Sequence, residues 1–155
     1  MTRHARNGFG SAARQLKGTA AGFSLLEVLI TVLVLSLGLL GAAALQMIAL
    51  SNNQSAMERS MAVVESYSIV DAMRVDRTNA INGEFNLALG VDPSGATFAA
   101  NELTKWRNRL RLLLGPDATG SVLCNGANCT IVVQWNDQRG TNGEVEQQIE
   151  TQVQL

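Results

Sequence analysis

The sequence predicts an α+β fold: one long N-terminal helix with a hydrophobic first half, then a small C-terminal domain of one further helix and an antiparallel sheet. Three patterns predict it: an apolar run over residues 23–50, a helical pattern without proline or glycine over 51–77, and alternating apolar residues near the end. We expect four segments. They are a leader (1–22), a hydrophobic membrane and assembly helix (23–50), its continuation (51–77) and a small α+β globular domain (78–155).

The apolar run contains a single acid. As one helix, residues 23–50 would reach roughly 42 Å, and about twenty apolar residues suffice to cross a bilayer. Glu27 lies near the start, and no Lys, Arg or His occurs between Phe23 and Glu58. A charge in hydrocarbon costs on the order of 2.5–3.5 kcal/mol, so such an acid indicates a functional group with a partner. That partner must come from another molecule or from a new chain end.

The leader is basic and lacks both acids and an apolar core. Positive charge before the helix and none just after it predict that the leader lies inside and the C-terminal domain outside. Two alternatives remain open. Residues 28–41 with Ala42-Ala43-Ala44 fit an ordinary secretory signal peptide whose product starts at Leu45, and the run also fits a plain membrane anchor with an incidental Glu27.

Residues 22–27, Gly-Phe-Ser-Leu-Leu-Glu, resemble the type IV prepilin signal. The resemblance implies that prepilin peptidase cuts after Gly22 and that Phe23 becomes a methylated N-terminus. It also implies the missing cation, since the amine of Phe23, on this chain or a neighbour, would pair with Glu27. At about 4 Å such a pair is worth roughly 4 kcal/mol at an effective dielectric near 20, enough to offset burial.

Small residues occur in the second half of the apolar run. Gly38 and Ala42 stand four apart with Gly41 beside them, a pattern that lets another helix approach closely. Glycine also weakens a helix locally. In related filaments this region loosens on assembly, and the same is expected here as a hypothesis. Glycines that merely face lipid are the alternative.

The continuation of the helix is predicted to be amphipathic. One side is expected to face the domain and the other to face solvent. The expected inner residues are Ala56, Val63, Tyr67 and Val70, and the expected outer residues are Glu58, Glu65 and Asp76.

Residues 78–100 are rich in Asn, Gly, Asp and Pro, which predicts an irregular connection in which Phe85, Leu87 and Leu89 form at most one short strand. Asn101 is the predicted N-cap of a second helix over 102–114, ended by Gly115-Pro116. Its predicted inner face consists of Leu103, Trp106, Leu110, Leu113 and Leu114.

Four bases flank that face: Lys105, Arg107, Arg109 and Arg111. They are interpreted as a solvated helix flank whose aliphatic stems cover the tryptophan. Contact with DNA or a surface is the alternative.

The last third predicts an antiparallel sheet. Val122 and Leu123 lead into a turn from Cys124 to Cys129, and the next strand runs to Trp135 with alternate residues inward. A final strand follows the loop over 137–143. Its inner residues are predicted to be Val145, Gln147, Ile149, Thr151, Val153 and Leu155, and its outer acidic face, with Glu144, Glu146 and Glu150, is predicted to discourage edge pairing.

The two cysteines, Cys124 and Cys129, are predicted to form a structural disulfide, because the domain is expected outside the cytoplasm. A zinc site would need further ligands, and four residues rather than two separate the pair. No cofactor or metal is predicted.

Composition argues against several functions. Taking the four bases before Gly22 from twelve leaves eight against thirteen acids, a formal charge of −5, so no nucleic-acid partner is expected. The only histidine, His4, lies in the leader, so the rest of the chain cannot form a Ser-His-Asp triad. We expect no enzymatic function.

Further residues narrow the resemblance. Residues 36–41 with Gln46, the helix containing Trp106, and the run from Cys129 to Trp135 look like the PilV-type minor pilins, also called type IV pilus modification proteins. The chain departs from that family in having Ala21 before Gly22, where Lys or Arg is usual, and a Gly-Pro order after Leu114.

The resemblance implies a low-abundance subunit that helps to start pilus assembly near the tip and so supports adhesion or twitching motility. It implies three partners: prepilin peptidase, other major and minor pilins, and the bacterial inner membrane. The protein would cross that membrane once, with its domain in the periplasm, before it joins the extracellular pilus. A minor pseudopilin of a type II secretion system is the alternative, and a secreted or anchored binding domain or enzyme is a third.

Overall fold

Residues 22–138, 140 and 143–155 are described by a computed structural model. Residues 1–21 of the predicted leader lie outside the described residues. The fold is α+β and pilin-like in layout, as predicted: a long N-terminal apolar helix, a further helix and a three-stranded antiparallel sheet. The elements are α1 (Leu25–Val75), α2 (Arg77–Ile81), α3 (Phe98–Leu114), β1 (Thr119–Asn125), β2 (Asn128–Trp135) and β3 (Gln147–Gln154).

The chain divides into two units, residues 1–40 and residues 41–155. In the first unit the described residues, 22–40, are exposed throughout. In the second unit, one apolar core joins the C-terminal part of α1 to α3 and to the inner face of the sheet. Its largest fully buried side chains include Trp106, Trp135 and Phe85.

Helix α1 ends at Val75, two residues before the predicted end. Asp76 leaves the helical conformation, with φ −121° and ψ 54°. Its carboxylate accepts a hydrogen bond of 2.9 Å from the amide of Asn79. The backbone carbonyl of Asp76 accepts a hydrogen bond of 3.0 Å from the Ala80 N–H, so Asp76 is the N-cap from which the short α2 starts.

The predicted buried face of α1 was wrong except at Val70, which is buried as predicted. Ala56, Val63 and Tyr67 are exposed, whereas Glu58 and Glu65 are buried. Acids can leave solvent where their carboxylates are partnered, and apolar periodicity does not show such pairing. The buried residues of α1 are Glu58, Ala62, Glu65, Ser66, Ile69, Val70 and Met73.

Helix α3 begins one turn earlier than predicted. The hydroxyl of Thr97 accepts a hydrogen bond of 3.2 Å from the Ala100 N–H, so Thr97 is the N-cap and the predicted cap, Asn101, lies inside the helix. The C-terminal end at Leu114, before a glycine with φ 111°, agrees with the prediction. Its buried residues include Leu103, Trp106, Leu110 and Leu114 as predicted, whereas Leu113 is 39% exposed.

The connection before α3 is irregular, as predicted, except for α2 and a single bridge. Leu87 exchanges two backbone hydrogen bonds with Val122, of 2.8 and 3.0 Å. This isolated bridge does not extend into a strand.

The sheet has the order β1-β2-β3, with antiparallel neighbours. Ile131, Val133 and Trp135 of β2 face the core, which confirms the predicted alternation. In β3 the predicted inner residues Ile149 and Val153 pack against the core. Val145 does not belong to the strand and is 57% exposed, so its predicted inward position was wrong.

The contact between α3 and the sheet depends on Gly120. A Cβ atom at this position would lie 2.4 Å from an indole ring carbon of Trp106 and 2.9 Å from the carbonyl oxygen of Val132. Real Cβ contacts are not this short, so any side chain at this position would force Trp106 or the backbone of β2 to move.

We therefore expect Gly120→Ala to destabilise the domain by about 1–3 kcal/mol through overpacking. The measurement is thermal unfolding of the full chain in detergent. Gly126→Asn is the control, because Gly126 has φ 60° and open space around it, and asparagine tolerates that conformation. Equal melting temperatures for Gly120→Ala and the original chain would contradict the close packing described here.

Candidate processing and assembly site

The backbone around the predicted cleavage point is open and non-helical. Residues 22–24 precede α1, and Phe23 is 84% exposed. No described atom lies within 4 Å of where a Cβ of Gly22 would be. The bond between Gly22 and Phe23 is thus accessible to another molecule and outside any regular element.

Helix α1 begins at this point because Ser24 caps it. The serine hydroxyl accepts a hydrogen bond of 3.3 Å from the Leu26 N–H, and the serine carbonyl accepts one of 3.2 Å from the Val28 N–H. Glu27 follows in the first turn. Ser24 and Glu27 therefore have the spacing of a capping box, a signal in the sequence that the prediction did not use.

Glu27 is exposed, and no hydrogen bond or ion pair joins it to another of residues 22–138, 140 and 143–155. The N-terminal end of its own helix favours negative charge by only about 0.3–1 kcal/mol. That is less than the burial cost of an acid in hydrocarbon. The described part of the chain therefore supplies no full positive charge for Glu27.

The apolar half of α1 has no cover within the described residues. Every residue from 22 to 50 is exposed, and this helix near the N-terminus is long and apolar enough to be a single membrane span. An apolar surface of this extent is normally covered by lipid or by other protein.

The small residues Gly38, Gly41 and Ala42 lie in an unbroken part of α1. No described atom comes within 4 Å of a Cβ built at either glycine. The helix surface is therefore flat and open here, as close helix packing requires. Loosening of this region on assembly stays a prediction.

Arg109 of α3 holds the domain to α1. Its Nε lies 3.0 Å from a carboxylate oxygen of buried Glu65, and its Nη2 donates to the Ser68 hydroxyl at 2.8 Å. Trp106 donates from its indole N–H to the backbone carbonyl of Glu65 at 2.9 Å. We call these three bonds the α1–α3 clamp. The sequence prediction missed the clamp because it placed Glu65 on the solvent side.

Arg107 is only 1% exposed, so its predicted place on a solvated helix flank was wrong. Its side chain joins three segments. It donates to the carbonyl oxygen of Val91 at 2.6 Å, to that of Ala88 at 3.4 Å, and to the Thr119 hydroxyl. Burial lowers the pKa of Arg107 and nearby Arg111 lowers it further, whereas Asp92 raises it. A guanidinium stays protonated in proteins even so, and here it ties the irregular connection to β1.

The other bases of α3 are also engaged within the domain. Lys105 pairs with Glu102 at 2.8 Å, and Arg111 pairs with Asp92 at 2.6 Å. Together with Arg107 and the clamp, these pairs occupy all four bases that flank the helix. Each of the four bases therefore has an acceptor within the domain.

Cys124 and Cys129 form a disulfide, as predicted, across the β1–β2 hairpin. Asn86 ties this hairpin to the irregular connection, since its side-chain oxygen accepts from the Cys124 N–H at 2.7 Å. Sequence analysis gave Asn86 no role. In the described part of the chain, no group of three His, Cys, Asp or Glu residues is placed to hold a metal ion.

We expect replacement of both cysteines by serine to lower stability by roughly 2 kcal/mol, because the disulfide keeps a short loop closed in the unfolded chain and so lowers the entropy of that state. The measurement is the thermal midpoint of the full chain in detergent. Treatment of the original chain with a reductant should give the same shift, and the double variant should not respond to it. A midpoint that neither change affects would contradict a stabilising role.

No protein-family model, curated protein or solved structure matches this chain. Function is therefore inferred from the placement of residues. Gly22 and Phe23 lie in open backbone, Glu27 lies without a cation in the first turn of an exposed apolar helix, and a disulfide-bonded α+β domain follows.

Proposed function

We propose that this chain is a minor pilin of the PilV type, a structural subunit that prepilin peptidase processes and that takes part in starting type IV pilus assembly. The observation that carries the proposal is the start of α1. An accessible Gly22–Phe23 bond precedes an exposed apolar helix whose one acid, Glu27, has no cation among the described residues.

Cleavage after Gly22 would supply the missing charge. It creates an amine on Phe23 only four residues from Glu27, at the N-terminal end of the same helix. Within one chain the pair would be local, and between chains it would set the axial position of one subunit against the next. Either pairing offsets the cost of keeping an acid in an apolar environment.

The α1–α3 clamp supports the second half of this function. A subunit that is drawn out of a membrane by its apolar helix must keep its domain attached to the rest of that helix. The bonds of Arg109 to Glu65 and Ser68 provide this attachment, since Glu65 and Ser68 both belong to α1. Partners in this proposal are prepilin peptidase, other major and minor pilins and the inner membrane, with no role for nucleic acid.

A minor pseudopilin would share all these features. Co-purification of the processed chain with pilus subunits, rather than with secretion-system subunits, is the outcome that the proposal expects. Subunits of a secretion system alone would favour the pseudopilin instead.

We expect Gly22→Leu to abolish processing, because a large side chain would occupy the position before the bond that is cut. The intact mass of the membrane-associated protein is the measurement, with the original chain expected to start at a methylated Phe23. Gly18→Leu, which changes another leader glycine, should be processed normally. A product of Gly22→Leu that still starts at Phe23 would exclude this role for the glycine, and an original chain that starts at Leu45 would indicate an ordinary signal peptide.

We expect Glu27→Val to insert into the membrane and to be processed, but to enter filaments about tenfold less or worse, because the new amine loses its counter-charge. The amount of the chain in sheared filaments, relative to the amount in membranes, is the measurement. Glu27→Asp keeps the charge and should retain part of the incorporation. Incorporation of Glu27→Val at the original level would refute the charge pairing.

A further inference from the structure

The outer edge of β1 is closed by the irregular connection. Leu87 bonds to both backbone groups of Val122, and the Asn86 side chain accepts from the Cys124 N–H at 2.7 Å and approaches the Cys124 carbonyl oxygen at 3.5 Å. The connection thus takes the place of a neighbouring strand and protects this edge from further pairing.

The outer edge of β3 is open in the described structure. The Leu155 N–H donates to the Ala127 carbonyl oxygen at 2.8 Å, which fixes the odd-numbered residues of β3 as those bonded to β2. Backbone groups alternate in direction along a strand at a sheet edge. The even-numbered residues therefore direct their N–H and C=O groups away from β2, and no described backbone group bonds to them. They are Gln148, Glu150, Gln152 and Gln154.

This edge lacks the usual protection against pairing. Strand β3 contains no lysine, no proline and no bulge in its register with β2. Glu150 is its only charged residue, because Glu144 and Glu146 precede the strand. The acidic face that the sequence predicted is thus reduced to one charge along the paired length, and a strand with such an edge is a template for another strand.

Helix α1 runs along β3 in the same direction. Near the start of the strand, Arg59 donates to the side-chain oxygen of Gln147 at 3.4 Å. Beyond its end, Arg77, which follows α1, donates to the carbonyl oxygen of Leu155 at 2.8 Å. The flank of α1 that carries Arg59 therefore lies beside β3.

Apolar side chains on this flank and in β3 are incompletely covered. Val63 follows Arg59 by four residues, so it shares the same side of the helix, and it is 43% exposed. In the strand, Ile149 and Val153 pack against the core but are only partly buried. A further strand beside β3 would cover these side chains, and it would place Val63 on the inner side, as the apolar periodicity of α1 predicted.

A second copy of the chain does not fit this edge. Antiparallel pairing of β3 with β3 about a two-fold axis would reverse one α1 relative to the other, because α1 follows the direction of β3. Copies that cross one membrane with their domains on the same side have these helices in the same direction. The other outer edge of the described sheet, at β1, is closed.

We infer that the β3 edge binds an extended segment of a different protein, which adds a fourth, antiparallel strand to the sheet. Residues directly opposite each other in such a ladder share a face. The segment's residues opposite Ile149, Thr151 and Val153 lie on the inner face and are apolar. Its residue opposite Glu150 lies on the outer face and is Lys or Arg, because opposite charges at facing positions stabilise a ladder.

A designed peptide tests this chemistry. The probe is the labelled heptapeptide Thr-Val-Thr-Val-Lys-Val-Thr, whose lysine faces Glu150 when its first residue lies opposite Gln154. Fluorescence anisotropy should show saturable binding to the full chain in detergent. Glutamate in place of the lysine should weaken binding about threefold or more, since like charges then face each other. Glu150→Lys, at an exposed position, should reverse this preference.

Two further pairs of variants test the backbone and the apolar flank. Gln152→Pro removes an outward N–H but no bond to β2 and should abolish binding, whereas Gln152→Thr keeps the N–H and should bind normally. Val63→Asn should weaken binding. Val64→Asn is its matched control, because Val64 is 65% exposed and adjacent residues of a helix do not share a side. Thermal midpoints of all variants check that they fold.

The exchange at Glu150 leaves the backbone unchanged and so tests the edge even if the proline variant unfolds. Three outcomes would overturn the inference. They are a lack of saturable binding by the lysine peptide, a preference between the two peptides that Glu150→Lys does not change, and a dimer of the full chain that the peptide disperses. The last outcome would show that a second copy occupies the edge.

Discussion

A carboxylate that leaves water needs a counter-charge, and two of the acids of helix α1, Glu65 and Glu27, meet this requirement in different ways. Glu65 is buried and has its cation within the chain, at 3.0 Å on Arg109 of α3. Glu27 lies in an apolar helix and has no cation in the described residues. The first acid stabilises the domain on its helix, and the second makes the chain dependent on a partner or on a new chain end.

The same rule explains the interior of the domain. Arg107 is buried because three acceptors on two segments surround its guanidinium. The irregular connection of residues 82–97 has little regular structure of its own. Two polar side chains tie it to the domain: Arg107 of α3 bonds to its Val91 carbonyl oxygen, and its own Asn86 bonds to Cys124 of β1.

The sequence predicted those features that depend on local patterns. The apolar helix, the inward residues of β2, the end of α3 and the disulfide were all predicted correctly, because periodicity, glycine and cysteine spacing are local signals. The buried face of α1 was not, since Glu58 and Glu65 are buried through pairs with residues that periodicity ignores. The N-cap at Thr97 was missed because asparagine is the stronger N-cap residue, so local propensity favours Asn101 and only the fold identifies Thr97. Gly120 could not be recognised, because its role depends on the position of Trp106.

The two outer edges of the sheet differ, because only β1 has a substitute for a neighbouring strand. A side-chain amide at residue 86 offers β1 the donor and acceptor geometry of a peptide group, so β1 gains an edge partner from a segment that is not a strand. Strand β3 has no such neighbour among the described residues, and alternation leaves its even-numbered backbone groups facing outward. Water satisfies these groups in a single chain, so the edge carries no penalty there.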